Sequence, residues 1–230
     1  MNSVVNDRPG SKLAAYTVPM AAFLGFLAVV VLLKGRGDAF WLQAPEYWIY
    51  PLQTLVCAAL LWWFWRRYEF HRFTGVVLTL AVAVLVFVLW ISPQAFFGFE
   101  ARTEGFNPDT FATQPGLYWS TVLMRFFRLV IIVPIVEEVF WRGFLLRYFI
   151  KDKFEEVPFG TFTWMSFGVV VVGFTLVHNS ADWPAAAITG VLYNLVAYRT
   201  KSLTSCIIAH ALTNLLLGLW IMWTGQWGFW

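Results

Sequence analysis

Seven stretches of the chain are each apolar over about the 20 residues a helix needs to cross the hydrocarbon of a bilayer. They run over 13–33, 47–65, 74–91, 118–150, 162–178, 183–199 and 203–223. Hydrophobic residues make up 60% of the 230-residue chain and charged residues only 13%. A soluble domain is nearer half apolar and a quarter charged, and a core of this size cannot hide the excess, so most of the surface has to face lipid. Lipid offers the backbone no hydrogen-bond partners, and helices satisfy theirs within each segment. The expected fold is therefore all-α, a polytopic transmembrane helical bundle, taken as a single membrane-embedded domain over 1–230.

The stretch 118–150 is too long for one straight crossing. It contains Pro134, which is expected to kink it one turn before Glu137 and Glu138. Taken as one helix it gives seven spans, and taken as two it gives eight. The charges choose between them. With seven spans and a cytoplasmic N-terminus, the cytoplasmic segments hold Arg8, Lys12, Arg66, Arg67, Arg72, Arg147, Lys151, Lys153, Arg199 and Lys201. The outer segments hold Lys34, Arg36 and Arg102, so the ratio is ten to three, as the positive-inside rule requires. Splitting the fourth span spoils this asymmetry, and eight spans remain the alternative. The N-terminal run lacks an A-x-A-like cleavage site, which favours a first span over a removed signal peptide. The long outer loop 92–116, with its repeated Phe, is expected to rest on the bilayer interface. The terminal "WTGQWGFW" is expected to form an outer aromatic belt.

Other classes are excluded by what the chain lacks. A net charge of +3, scattered, offers no basic face for nucleic acid, and there is no glycine loop to cradle phosphate. Two cysteines, Cys57 and Cys206, both in apolar runs, build neither a disulfide framework nor a zinc cluster.

Ionisable groups inside a span cost about 2.5–3.5 kcal/mol each on insertion scales and mark functional positions. The fourth span carries Glu137, Glu138 and Arg142, the fifth ends on His178, and the seventh carries His210 and Asn214. Adjacent residues point about 100° apart on a helix, so Glu137 and Glu138 do different work. Glu138 and Arg142, spaced i,i+4, suit an ion pair. Glu137 then needs its partner from another span. Phe174 and His178 share a face, as do His210 and Asn214. Counted from the cytoplasmic ends at about 1.5 Å per residue, Glu137, His178 and Asn214 lie about 18–21 Å deep, and His210 about 12 Å. Arg125 and Arg128 are expected to snorkel to the outer interface. His71 is expected to be solvated or headgroup-facing in a basic cytoplasmic loop.

A carboxylate and a histidine can hold a water between them, the carboxylate taking its proton and the histidine orienting it or protonating a leaving amine. His210 and Asn214 could donate to the oxyanion formed when a carbonyl is attacked. No serine or cysteine stands beside a histidine at span depth, so a covalent nucleophile is unsupported. The chemistry indicated is hydrolysis of a peptide bond by direct attack of water, with no cofactor. Zinc held by Glu137, His178 and His210 is the competing reading, although no H-E-x-x-H pattern is present. A proton-coupled transporter is a further alternative, weakened by the absence of matching halves with broken helices.

At these residues the sequence resembles the CPBP family: the type II CAAX prenyl endopeptidases and their bacterial bacteriocin-processing and immunity relatives. Its three motifs, EExxxR, FxxxH and Hxxx(N/D), read here as "EEVFWR" (137–142), "FTLVH" (174–178) and "HALTN" (210–214). The resemblance covers roughly 120–223, with a catalytic core at about 118–223. It implies a glutamate-dependent intramembrane protease in which Glu137 activates water, His178 assists, and His210 and Asn214 form the oxyanion hole. Glu138 and Arg142, with Phe174, would support the site. The substrate implied is a membrane-anchored or lipid-modified peptide, and the bacterial relatives imply a bacterial inner membrane. A non-catalytic scaffold or immunity protein of the same family is the alternative.

Overall fold

The structure is a computed structural model that describes residues 10–230. Arg8, counted above among the cytoplasmic charges, lies outside the described residues. Seven long helices follow one another: α1 Gly10–Leu33, α2 Glu46–Phe64, α3 Val76–Phe96, α4 over residues 115–148, α5 Trp164–Leu176, α6 Trp183–Thr200 and α7 Leu203–Thr224. No strand occurs among the described residues. Four of the helices, α1, α2, α3 and α7, are long and apolar enough to cross a membrane, and α5 is apolar but shorter.

Local chemistry sets the ends. The Thr163 hydroxyl accepts from Ser166 N at 3.2 Å and opens α5. The Ser202 hydroxyl accepts from Ser205 N at 3.1 Å and opens α7. Each is a side-chain oxygen filling an orphaned helical donor. Gly225, at φ +68°, closes α7 in the left-handed conformation that glycine adopts without a steric penalty.

The fourth stretch is one continuous helical path, irregularly wound around Pro134. Residues 127–132 and 139–145 are wound as π-helix on either side of Val133–Glu138. Val133 N donates back five residues to Arg128 O. In that register the next carbonyl, Leu129 O, would take its proton from residue 134. That residue is proline, which has none. The π turn absorbs the proline and leaves a carbonyl open within the bundle.

Helix α4 runs through the middle of the bundle, packed on α1, α2, α5 and α7. α1 approaches it at Gly143, where a Cβ would meet the Tyr16 ring at 2.8 Å. The core is apolar and aromatic, with Tyr16, Met20, Val136, Val170, Phe174 and Val196 almost wholly buried. The outward faces are apolar too: Val77 is 83% exposed and Trp223 84%. Large side chains this exposed are what a lipid-facing surface requires.

Two expectations about polar residues need correcting. Arg125 and Arg128 do not snorkel; they are buried, at 4% and 6% exposure. Loop 97–114 and the C-terminal residues close over that end of the bundle, so the guanidiniums have no route outward. Phe106, Tyr50 and Trp230 surround Arg125. The loop is tied to the rest of the fold. Phe96, Phe97 and Phe99 are exposed, but Arg102 pairs with Asp182 at 2.7 Å, and its carbonyl accepts from Gly228 N at 2.8 Å.

His71, expected to be solvated, is half-buried with its ring 5.0 Å from Phe159. The loop around it is pinned: Ser202 Oγ donates to Arg72 O, Thr204 Oγ1 donates to His71 O, and Glu69 pairs with Arg147 at 2.8 Å. Burial holds the His71 pKa below the usual histidine value of 6.5, opposed by nearby Glu69 and reinforced by Arg147. The fold therefore favours the neutral ring. Its contribution to stability is complete above about pH 6.5 and is lost as pH falls through the lower folded-state value. Melting curves in detergent between pH 7 and 5 should fall less steeply for His71→Gln than for the wild type. Equal slopes would remove His71 from the account of acid stability.

Candidate active site

The polar residues of α4, α5 and α7 converge on one cavity of about 510 Å³. Glu137, His178, His210 and Asn214 all line it, together with Phe174. α1 adds apolar lining, including Leu24, Leu27 and Val30. The site therefore has a chemical side and a greasy side.

Glu138 and Arg142 form the ion pair that their spacing indicates, Nη1 donating to Oε1 at 2.9 Å, with both side chains wholly inaccessible. Arg142 also donates from Nε to Asn194 Oδ1 at 3.1 Å and from Nη2 to Gly190 O at 3.4 Å. Its guanidinium lies 5.0 Å from the Phe174 ring and 5.4 Å from the Tyr193 ring. One arginine thus ties α4 to α5 and α6. The same Glu138 Oε1 is 2.9 Å from His210 Nδ1, which ties in α7. Buried charges of this kind persist only when paired and hydrogen-bonded.

Each histidine has its tautomer set by its partner. His178 Nδ1 lies 2.7 Å from Phe174 O. A carbonyl only accepts, so Nδ1 carries the proton and Nε2 is left as the acceptor. His210 Nδ1 faces the Glu138 carboxylate, so its Nε2 is the other free ring nitrogen. That nitrogen donates only when the ring carries a second proton. The Phe174 ring packs 4.7 Å from the His178 ring, and Trp90 packs 5.7 Å from it on another side. Asn214 Nδ2 donates to Leu129 O at 2.8 Å, the carbonyl that the π turn and Pro134 leave open. One amide proton is thereby used for support, and the second remains.

Glu138 holds Arg142 and His210 through Oε1 although its Oε2 is unpartnered, whereas Glu137 forms no hydrogen bond or ion pair among the described residues. It is 7% exposed, yet its Oε2 has no hydrogen-bond partner among the described residues. The partner that the sequence demanded from another span is not there, and the residue faces the cavity instead. Among the described residues, no three His, Cys, Asp or Glu side chains group closely enough to hold a metal ion. The sequence reading missed Asn194, Gly190 and Tyr193, which hold Arg142, and Thr213, whose hydroxyl receives Tyr193 OH at 2.8 Å. An asparagine inside the apolar run "GVLYNLVAY" was the available signal.

Residues 118–216 match the family model described as Rce1-like: Type II CAAX prenyl endopeptidase Rce1-like. Over this segment, a little under half of its length, the chain is similar to that family. The match takes in all three motifs, and with them Glu137, Phe174, His178, His210 and Asn214. No curated protein and no solved structure gives a match. With the family match and its apolar helices, the chain is an integral membrane protein.

Proposed function

We propose that the protein is an intramembrane endopeptidase that hydrolyses a peptide bond of a membrane-anchored or lipid-modified substrate. The observation that carries this reading is the buried Glu137 carboxylate, with an oxygen unpaired, facing a cavity it shares with two imidazoles and an amide.

The steps follow from the tautomers. A water in the cavity gives a proton to Glu137 as its oxygen attacks the carbonyl carbon. The carbonyl oxygen becomes an oxyanion, and the second Nδ2 proton of Asn214 supports it, with the His210 ring beside it in the same cavity. Glu138 fixes the His210 ring through Nδ1 and is itself balanced by Arg142. His178 Nε2, free because Nδ1 is committed to Phe174 O, orients the water as an acceptor. The proton taken by Glu137 then passes, directly or through His178, to the amine. The C–N bond breaks and both products leave. An acyl or prenyl chain would lie along the apolar α1 wall. All seven helices would span the membrane with the N-terminus in the cytoplasm, as the positive-inside count favours, in a bacterial inner membrane.

The test is cleavage of an N-palmitoylated peptide library by the purified full chain in nanodiscs. Cleavage is expected for the wild type, to persist after exhaustive chelation, and to fall by about 10²–10⁴ in His178→Ala. Undiminished turnover in His178→Ala would reject the mechanism, and loss on chelation would return the zinc reading.

A further inference from the structure

The cavity around Glu137 reaches one end of the bundle and not the other. The two ends are told apart by their contacts. At one, the loops 65–75 and 149–163 meet the start of α7: Glu69 pairs with Arg147 at 2.8 Å, Thr74 Oγ1 donates to Thr200 O at 2.8 Å, and Ser202 Oγ donates to Arg72 O at 2.8 Å. This end carries Lys12, Arg147 and Lys201, among the cations that the sequence assigns to the cytoplasm. Among the described residues, none of those loops contributes to the cavity lining. The floor on that side is closed. One turn nearer that end than Met20, Glu137, Tyr193 and His210 stand Tyr16, Trp141, Ala197 and Cys206, all buried.

Toward the other end the lining runs on to the surface. It takes in Val31, near the end of α1 and 76% exposed, then Val177 and Asn179, both exposed, and Asp182. The length of α5 accounts for this opening. The helix has 13 residues, about 20 Å at 1.5 Å per residue, against a hydrocarbon layer about 30 Å thick. It begins beside the loop 149–163, so it stops short of the opposite surface. The turn that follows, residues 177–182, therefore lies at membrane depth, with Asn179 and Ser180 exposed. Lipid offers these polar groups no partners, and irregular backbone at such a depth needs protein or water around it. His178 stands on this turn, at the inner edge of the opening.

We propose that the cavity takes its water and its substrate from the non-cytoplasmic side, and that its substrates are peptides anchored in the outer leaflet. The anchor would lie against Leu24, Leu27 and Val31, the apolar lining of α1 that reaches the exposed surface. The peptide would enter past Asn179, and water would reach His178 by the same turn. This rests on the protease reading and on a cytoplasmic N-terminus, and the experiment separates the three. Spheroplasts and inverted inner-membrane vesicles from cells making the full chain present opposite faces of the protein. Each is given the same library of N-palmitoylated peptides, whose Lys and Glu residues keep them from crossing the bilayer. Products are read by mass spectrometry.

Wild-type spheroplasts are expected to cut the library, Glu137→Gln spheroplasts to leave it intact, and inverted vesicles to cut nothing. In parallel, an impermeant maleimide added to spheroplasts should label Asn179→Cys, at the opening, and Asp109→Cys, in loop 97–114, but not Lys153→Cys. The native Cys57 and Cys206 are buried and should stay unlabelled. Cutting by inverted vesicles, alone or alongside spheroplasts, would overturn the outer entry and leave the protease reading standing. Labelling of Asp109→Cys without Asn179→Cys would show the cavity closed to that side and overturn it too. Labelling of Lys153→Cys in place of Asp109→Cys would reverse the orientation, and the outer entry with it. If neither membrane preparation nor the full chain in nanodiscs cuts the library, the protease reading fails, and the maleimide pattern alone decides on which side the cavity opens.

Discussion

Arg142→Ala is expected to be among the most destabilising single substitutions in the chain, at about 3–5 kcal/mol. The reason is the charge it abandons. Glu138 is wholly buried, and without the guanidinium its carboxylate faces only His210. The links from α4 to Asn194 and Gly190 vanish with it. Breaking one half of a buried pair costs more than removing both halves, so Glu138→Gln combined with Arg142→Met should melt above Arg142→Ala. Thermal unfolding in detergent measures all three proteins. A change below about 1 kcal/mol in Arg142→Ala, the range of an exposed ion pair, would show that the pair does not brace the bundle.

Glu137→Gln is expected to do the opposite. The side chain is buried with an oxygen unpaired, so a neutral isostere of the same shape removes a desolvated group without breaking a contact. Melting should stay level or rise, while turnover of an N-palmitoylated peptide falls by about 10²–10⁴, the range a general base contributes. Stability and activity moving apart is the signature of a group kept for chemistry. A variant that melts early would instead make Glu137 a packing residue and favour a non-catalytic scaffold.

Much of this was legible in the sequence because membranes restrict what a chain can do. Apolar runs of bilayer length mark helices without knowledge of their packing, and all seven correspond to helices in the structure. The i,i+4 spacing of Glu138 and Arg142 needs only helical geometry, which is why the pair could be anticipated. Depth counting along separate spans was enough to bring Glu137, His178, His210 and Asn214 to one cavity. What could not be read was anything set by contacts between helices. Asn214 holds a carbonyl opened by a π turn, and nothing in "RLVIIVPIVEE" distinguishes a π turn from a kink at Pro134. Arg125 and Arg128 look like interfacial residues by depth alone. Their burial depends on loop 97–114 and the C-terminal aromatics folding back over them, which local sequence does not encode. The division of labour at His210, with Nδ1 toward Glu138 and Nε2 toward the cavity, is likewise a tertiary fact.

The most direct measurement is a comparison of membrane peptides from cells carrying the wild-type chain and cells carrying Glu137→Gln, identified by mass spectrometry with their new termini. Peptides cut at new C-termini should appear with the wild type and be missing with Glu137→Gln at equal protein levels. Identical peptide sets in the two samples would contradict a hydrolase driven by Glu137.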